Sequence, residues 1–450
     1  MNNNSKPARG FMRDRNFLWM LTGAITSMLG DQFTLIALPW LVLQMSHDTF
    51  TLGIVLALLG IPRALFMLIG GAVVDRYDPK SVMMVTKYIN TALLAILVVL
   101  LMTSSLSLWM IYLIALLLGL STAFSIPAGT SMLPRVVAAE HLQAANGMML
   151  GLRQITFFLG PLMAGGLIAL LGDHAAASQA GQAGLATTLQ AANMMDIADK
   201  RGLATAFFVD CFSYGFSAWT LSHVNMLAIK TDQQASKQSE VKQSLISATM
   251  SGLRHCWNDT MMRTCFLYWS AIAFLIMGPM QIAMPLLAQQ LGNSAGLLGL
   301  LAGAHGAGTL LGMAMSSVFP KLRLGSLGST ILLIDTLVAL LFMPMGLIHL
   351  AWQGAAILLA IGALGGYLHV AVFTWIQRQV PPAMLGRAMS IFMFIFMGIS
   401  PVSAALTGWL MHSISLTQLF AGSGALLIVI VTIALLVSPI RQMRDAGRLI

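Results

Sequence analysis

The chain has 450 residues, 58% hydrophobic and 9% charged, with a mean hydropathy of +0.83; soluble domains are about 25% charged, so a soluble protein is excluded. The formal net charge of +9 lies in short loops between apolar runs, where basic residues orient a membrane protein, and so does not point to nucleic acid. Unbroken apolar stretches of more than about 20 residues, without the alternation of a lipid-facing strand, exclude an outer-membrane barrel and leave an all-α, polytopic membrane protein.

In chain order, a polar tail over 1–16 ends in Arg13 and Arg15, ahead of an apolar run too long for a cleaved signal peptide. Spans are expected at 17–44, 51–74, 82–104, 108–130, 145–171 and 203–229, a first six-helix bundle over 17–229. An outer insertion at 173–202, rich in Ala and Gln, reads either as a short helix over the pore mouth or as a solvated loop. A polar linker over 230–261 follows. In it Val241, Leu245, Ala248, Gly252, Leu253 and Cys256 recur at helical spacing, as in an interfacial helix on the cytoplasmic surface. Spans at 262–290, 296–319, 327–349, 352–377, 387–411 and 417–438 form a second bundle over 262–438, with a tail at 439–450.

Twelve spans put both termini on one side. Assigning that side to the cytoplasm leaves 20 of the 24 Lys and Arg in inner loops, tails or helix ends, two in spans (Arg63, Arg153) and two outside (Lys200, Arg201). The halves repeat: Arg135, Val137, Leu142 and Ala145 recur 243 positions later as Arg378, Val380, Leu385 and Ala388. Cys211, Cys256 and Cys265 form neither a metal pattern nor a disulfide framework, so no metal and no cofactor is expected. The 33 methionines show no copper-binding ladder and suit adaptable packing or a forgiving apolar cavity.

After the second span the chain reads Gly71-Ala-Val-Val-Asp75-Arg76-Tyr-Asp78-Pro-Lys80. This resembles the loop signature of the major facilitator superfamily, with Asp78 and Pro79 in place of the family's later glycine and first tail arginine. Gly160-Pro161-Leu-Met-Ala-Gly165-Gly166 in the fifth span is similar to the antiporter motif of the family's exporters, with Ala164 for one glycine. An arginine expected four residues before Gly119 is Ala115. With Ala37-Leu38-Pro39-Trp40 and Pro62-Arg63-Ala64, the chain resembles the macrolide-efflux and enterobactin-export branch of drug:proton antiporters. The resemblance implies two six-helix bundles about a pseudo-two-fold axis, with a central cavity at mid-depth. It assigns gating to Gly71, Asp75, Arg76, Lys80, Gly160 and Pro161. It also implies a monomer in a bacterial inner membrane that meets a small-molecule substrate, protons and membrane lipid.

Ionisable groups in hydrocarbon cost about 2.5–3.5 kcal/mol each unless paired or hydrated. Asp31 and Arg63 lie at matching depth near mid-membrane, where the pair reads either as a proton-coupling site or as a permanent ion pair. Arg153 lies toward the cytoplasmic end of its span and suits loop acids or lipid phosphate. Asp210, within reach of hydration from the outer end, and Asp335 are both read as mainly structural. With Arg153 and Asp210, the buried His305 and His369 are candidates for a cavity, although a lone histidine is more often a packing residue.

No HExxH, paired GxGD or GxxxxGK[ST] stretch is present, so neither a membrane enzyme nor a nucleotide-driven pump is indicated. A receptor would not explain charged mid-span residues in repeated halves. The expectation is proton-coupled export of a medium-sized amphiphile, a drug or siderophore-like metabolite. Import of a siderophore, nutrient or lysolipid is the competing reading.

Overall fold

A computed structural model describes residues 14–179, 197–226, 257–319, 325–380, 388–389 and 391–443. Most of the outer insertion, most of the 230–261 linker with its interfacial helix, and both tails lie outside these. So do the side chains of Gly71 and Asp75.

The described residues contain helices and turns and no strand. The helices are α1 (Arg15–Ser46), α2 (Thr49–Arg76), α3 (Pro79–Met102), α4 (Leu108–Met132), α5 (Leu142–Gln179) and α6 (Ile197–Ser222). They continue as α7 (Thr260–Gly292), α8 (Ala295–Val318), α9 (Leu327–Phe342), α10 (Ala351–Gln379), α11 (Ile391–Leu410) and α12 (Leu416–Val437). Eleven are long and apolar enough to cross a bilayer. The twelfth is α6, whose polarity points inward: Asp210, Ser213 and Ser217 are all buried. It ends at Ser222, short of the expected 229, because Lys80 Nζ donates to the carbonyls of Ser222 and Val224 at 3.1 and 2.7 Å, satisfying groups that no further turn would use. At the other boundary, α5 runs on into the expected insertion.

Short polar turns start the helices. Asp78 accepts from Ser81 N with Pro79 at the first helical position, and so caps α3. Asp259 caps α7 through Met261 and Met262, while Ser326 and Ser415 begin α9 and α12 with capping boxes. The residues that depart from the family loop pattern, Asp78 and Pro79, are therefore a helix-start device. Asp78 also lies 3.6 Å from Arg135, beyond the end of α4.

The chain falls into two compact units, Met1–Met45 with Pro62–Lys242, and Ser46–Ile61 with Gln243–Ile450. In the first, α3 packs against α4 and α6, and α6 against α5. In the second, α8 and α10 pack through small residues. A Cβ at Gly312 would fall 1.9 Å from the Ala363 carbonyl, so only a bare Cα allows these backbones to meet. The opening half of α2 joins this unit: Thr49 Oγ1 donates to the Gly408 carbonyl at 2.9 Å, and Asp48 meets His412 Nε2 at 2.7 Å.

Candidate functional site

The first unit gathers ionisable side chains from four helices. On α1, Gly30 and Asp31 are neighbours. The bare Gly30 admits α6, since a Cβ there would lie 2.5 Å from Asp210 Oδ1 and 2.0 Å from Ser213 Oγ. That approach brings Tyr214 to Asp31, and the phenol donates to Asp31 Oδ1 at 2.5 Å. One turn along α1, the hydroxyl of Thr34 donates to Asp210 Oδ2, while Ser213 donates to Asp210 Oδ1 at 3.1 Å. Asp210 is 1% exposed, so hydration from the outer end gives way to a buried carboxylate held by hydroxyls.

From α3, Lys87 enters the same interior at 3% exposure. Its ammonium donates to Ser27 Oγ at 3.0 Å and lies 5.3 Å from the Tyr214 ring centre. From α2, Arg63 is half-buried, and its buried Nε has no hydrogen-bond partner. The direct partner of Asp31 is Tyr214, with Lys87 and Arg63 acting on it as charges at longer range, while Lys87 also acts on Asp210. Two acids and two bases therefore balance formally inside one bundle. Such a set resists burial far less than any one of its members alone, because each charge supplies part of the field that solvates another.

Lys87 and Tyr214 escape the sequence reading for different reasons. Lys87 counts there among the basic helix ends, five residues into the third expected span. Tyr214 carries no charge. A signal existed in the spacing, because Tyr214 follows Asp210 by four residues and Asn90 follows Lys87 by three, so each pair shares a helix face.

The remaining candidates scatter. Gly160 on α5 is placed against α1: a Cβ there would meet Gln32 Cγ at 2.3 Å, so the antiporter-like stretch leaves room for the residue next to Asp31. Pro161 follows within an uninterrupted α5. Arg153 lies over the Phe157 ring at 5.8 Å. Arg76 is exposed and Lys80 binds the end of α6. In the second unit, the His305 carbonyl accepts from Thr309 Oγ1 at 2.9 Å. His369, expected to be buried, is exposed on α10. Asp335 is buried with Tyr268, whose hydroxyl donates to Oδ2 at 2.7 Å. Among the described residues, no group of three or more His, Cys, Asp or Glu side chains could hold a metal.

The sequence profile described as Major Facilitator Superfamily matches residues 20–401. The enterobactin exporter EntS of Escherichia coli O1:K1 is 23% identical over 91% of this chain and 89% of its own length. The multidrug efflux pump Tap of Mycolicibacterium fortuitum is 30% identical over 34% of this chain and 39% of its own. A crystal structure of a mutant of the nucleoside transporter NupG superposes with a TM-score of 0.70 at 12% identity, covering 93% of this chain and 99% of that one. At that identity the likeness speaks for the fold alone.

Proposed function

Since the chain belongs to the Major Facilitator Superfamily and is a multi-pass membrane transporter, not an enzyme, we propose that it exports a medium-sized amphiphilic molecule, a drug or siderophore-like metabolite, in exchange for protons. The observation that carries this reading is the part-buried Asp31–Tyr214 hydrogen bond, set among Lys87, Arg63 and Asp210. A proton arriving on Asp31 removes one negative charge from a balanced set. The excess positive charge on Lys87 and Arg63 then favours a different arrangement of the helices that carry them, and proton occupancy biases a conformational equilibrium. Tyr214 donates to the carboxylate and must reorient its hydroxyl when Asp31 is protonated on that oxygen.

That EntS is an enterobactin exporter and Tap a multidrug efflux pump supports the outward direction, as do Gly160 and Pro161. Alternating access in a bacterial inner membrane, with both termini cytoplasmic and the chain acting as a monomer, completes the proposal. Asp75 and Arg76 serve as the cytoplasmic latch in it.

In inverted vesicles, an imposed inside-acid gradient should drive a substrate into the lumen, and Asp31→Asn should abolish this while leaving substrate binding measurable. Emptying of preloaded vesicles by the same gradient would favour import. Full accumulation by Asp31→Asn would remove that residue from the coupling.

A further inference from the structure

Asn90 on α3 is 2% exposed, and among the described residues its buried Oδ1 has no hydrogen-bond partner. A buried acceptor left unpaired is costly, so its surroundings should say what it is for. Lys87, three residues earlier on the same face, does not pair with it. Its ammonium is turned to Ser27 Oγ, which is itself oriented by donating to the Ala24 carbonyl at 3.2 Å.

The seam between α3 and α6 places the Asn90 side chain. Cys211 Sγ donates to the Thr91 carbonyl at 3.4 Å, and a Cβ at Gly215 would lie 3.8 Å from Thr91 Cγ2, so α6 lies close on α3 just before and just after Tyr214. There the Asn90 carboxamide hydrogen-bonds the Tyr214 hydroxyl. Since the phenol gives its hydrogen to Asp31 Oδ1, the amide nitrogen is the donor in this contact and the amide oxygen is left over. One hydrogen-bonded line therefore crosses three helices, from Asn90 on α3 through Tyr214 on α6 to Asp31 on α1, with every donor pointing towards the carboxylate. The other charged groups that bear on Asp31 are Lys87 from α3, Arg63 from α2 and Asp210 from α6.

The direction of that line depends on the proton. With Asp31 ionised, Oδ1 accepts from the phenol. With a proton on Oδ1, the carboxyl becomes a donor, and the phenol, which has a single hydrogen, must accept that bond and give its own hydrogen elsewhere. Asn90 Oδ1 is an unpaired acceptor on a side chain already in contact with that hydroxyl, and the terminal torsion of an asparagine turns easily.

We propose that Asn90 is a positioning residue for coupling: the Tyr214 hydroxyl has two positions, donating to Asp31 Oδ1 when that carboxylate is ionised and to Asn90 Oδ1 when it carries the proton. The phenol keeps its hydrogen throughout, and the transported proton stays on Asp31. Loading reverses the bond between α1 and α6 and the bond between α6 and α3 together, so one proton is felt on three helices. The inference rests on the proposed coupling at Asp31 and names the residue that completes it.

Acid-minus-neutral infrared difference spectra of the purified full chain, with no gradient and no substrate, test this. Isotope labelling of the asparagine side-chain amide carbon identifies the asparagine carbonyl bands. The wild type should show the carboxyl band of protonated Asp31, lost in Asp31→Asn, and with it a downshift of one asparagine carbonyl band as that oxygen takes up a hydrogen bond. This downshift should be lost in Asn90→Leu and also in Tyr214→Phe, while both variants keep the Asp31 band. If Asn90→Leu melts early, Asn90→Ser, too short to reach the hydroxyl, takes its place with the same expectation. In vesicles, the pH of half-maximal gradient-driven accumulation should move by about one unit in the folded Asn90 variant. Absence of the Asp31 band or of the asparagine downshift in the wild type, a downshift that persists in Tyr214→Phe or in the folded Asn90 variant, or an unmoved pH profile would overturn the proposal. Full transport by Asp31→Asn would instead sink the exchange reading and leave the spectra as they are, so the two fail separately.

Discussion

Each unit sets a carboxylate against a tyrosine hydroxyl, the half-buried Asp31 with Tyr214 at 2.5 Å and the buried Asp335 with Tyr268 at 2.7 Å, yet the surroundings differ. Asp31 feels Lys87 and Arg63 and has Asp210 close by, whereas Asp335 has, among the described residues, no cation paired with it. A carboxylate inside a balanced set can exchange its proton for a rearrangement of neighbouring charges. One held by a single hydroxyl has no such exchange to offer and acts as a polar peg between α7 and α9. The second unit instead invests in close backbone contact between α8 and α10 and in aromatic packing. In the proposed reading, similar local chemistry serves coupling in one unit and cohesion in the other.

The largest effect is expected where cohesion is broken. Gly312→Leu sets a side chain against the Ala363 carbonyl and should cost at least about 3 kcal/mol, read as loss of folded protein in detergent; a variant as stable as the wild type would show that α8 and α10 can separate freely. Next comes coupling: Lys87→Met leaves two acids with one base and should reduce gradient-driven accumulation to near passive equilibration, while Lys87→Met with Asp210→Asn, which restores the balance, should recover folded protein better than the single change. Equal yields for the two would mean that Lys87 and Asp210 do not compensate each other.

The comparison sharpens with the paired tyrosines. Tyr268→Phe should cost about 1 kcal/mol of stability and leave the pH profile of transport in place, whereas Tyr214→Phe should displace that profile; identical profiles in both variants would erase the distinction between the units. The smallest effect is at the surface of the second unit. Partial burial pushes the Asp48 carboxyl up, but hydrogen bonds from His412, Thr51 and Phe50 outweigh it and hold the group at about 2. Because that lies below the ordinary 3.8, its contribution is complete above the ordinary value and is lost as pH falls through about 2. Asp48→Ala, which also removes the cap of α2, should lower stability by about 1 kcal/mol at neutral pH. A thermal melt with no difference between pH 7 and pH 2 beyond that of Asp48→Ala itself would show that the contact contributes nothing.

The sequence by itself determined the helical class, the succession of long apolar helices and the family, because burial in lipid forces long apolar runs and the loop after the second span has few alternatives. It also singled out Asp31, Arg63 and Asp210, since a charge in an apolar run is visible without any partner. Only the tertiary structure decided what those charges meet. Asp31 and Tyr214 are 183 positions apart, and the absent side chain at Gly30 lets α1 and α6 approach closely enough for them to meet. Lys87 looked like a helix-end lysine until packing turned it inward to Ser27. His369 looked buried until α10 spent its other edge on α8. Hydropathy records how much polarity a helix carries; which way that polarity faces is fixed by its neighbours, and the chemistry of this chain depends on that direction.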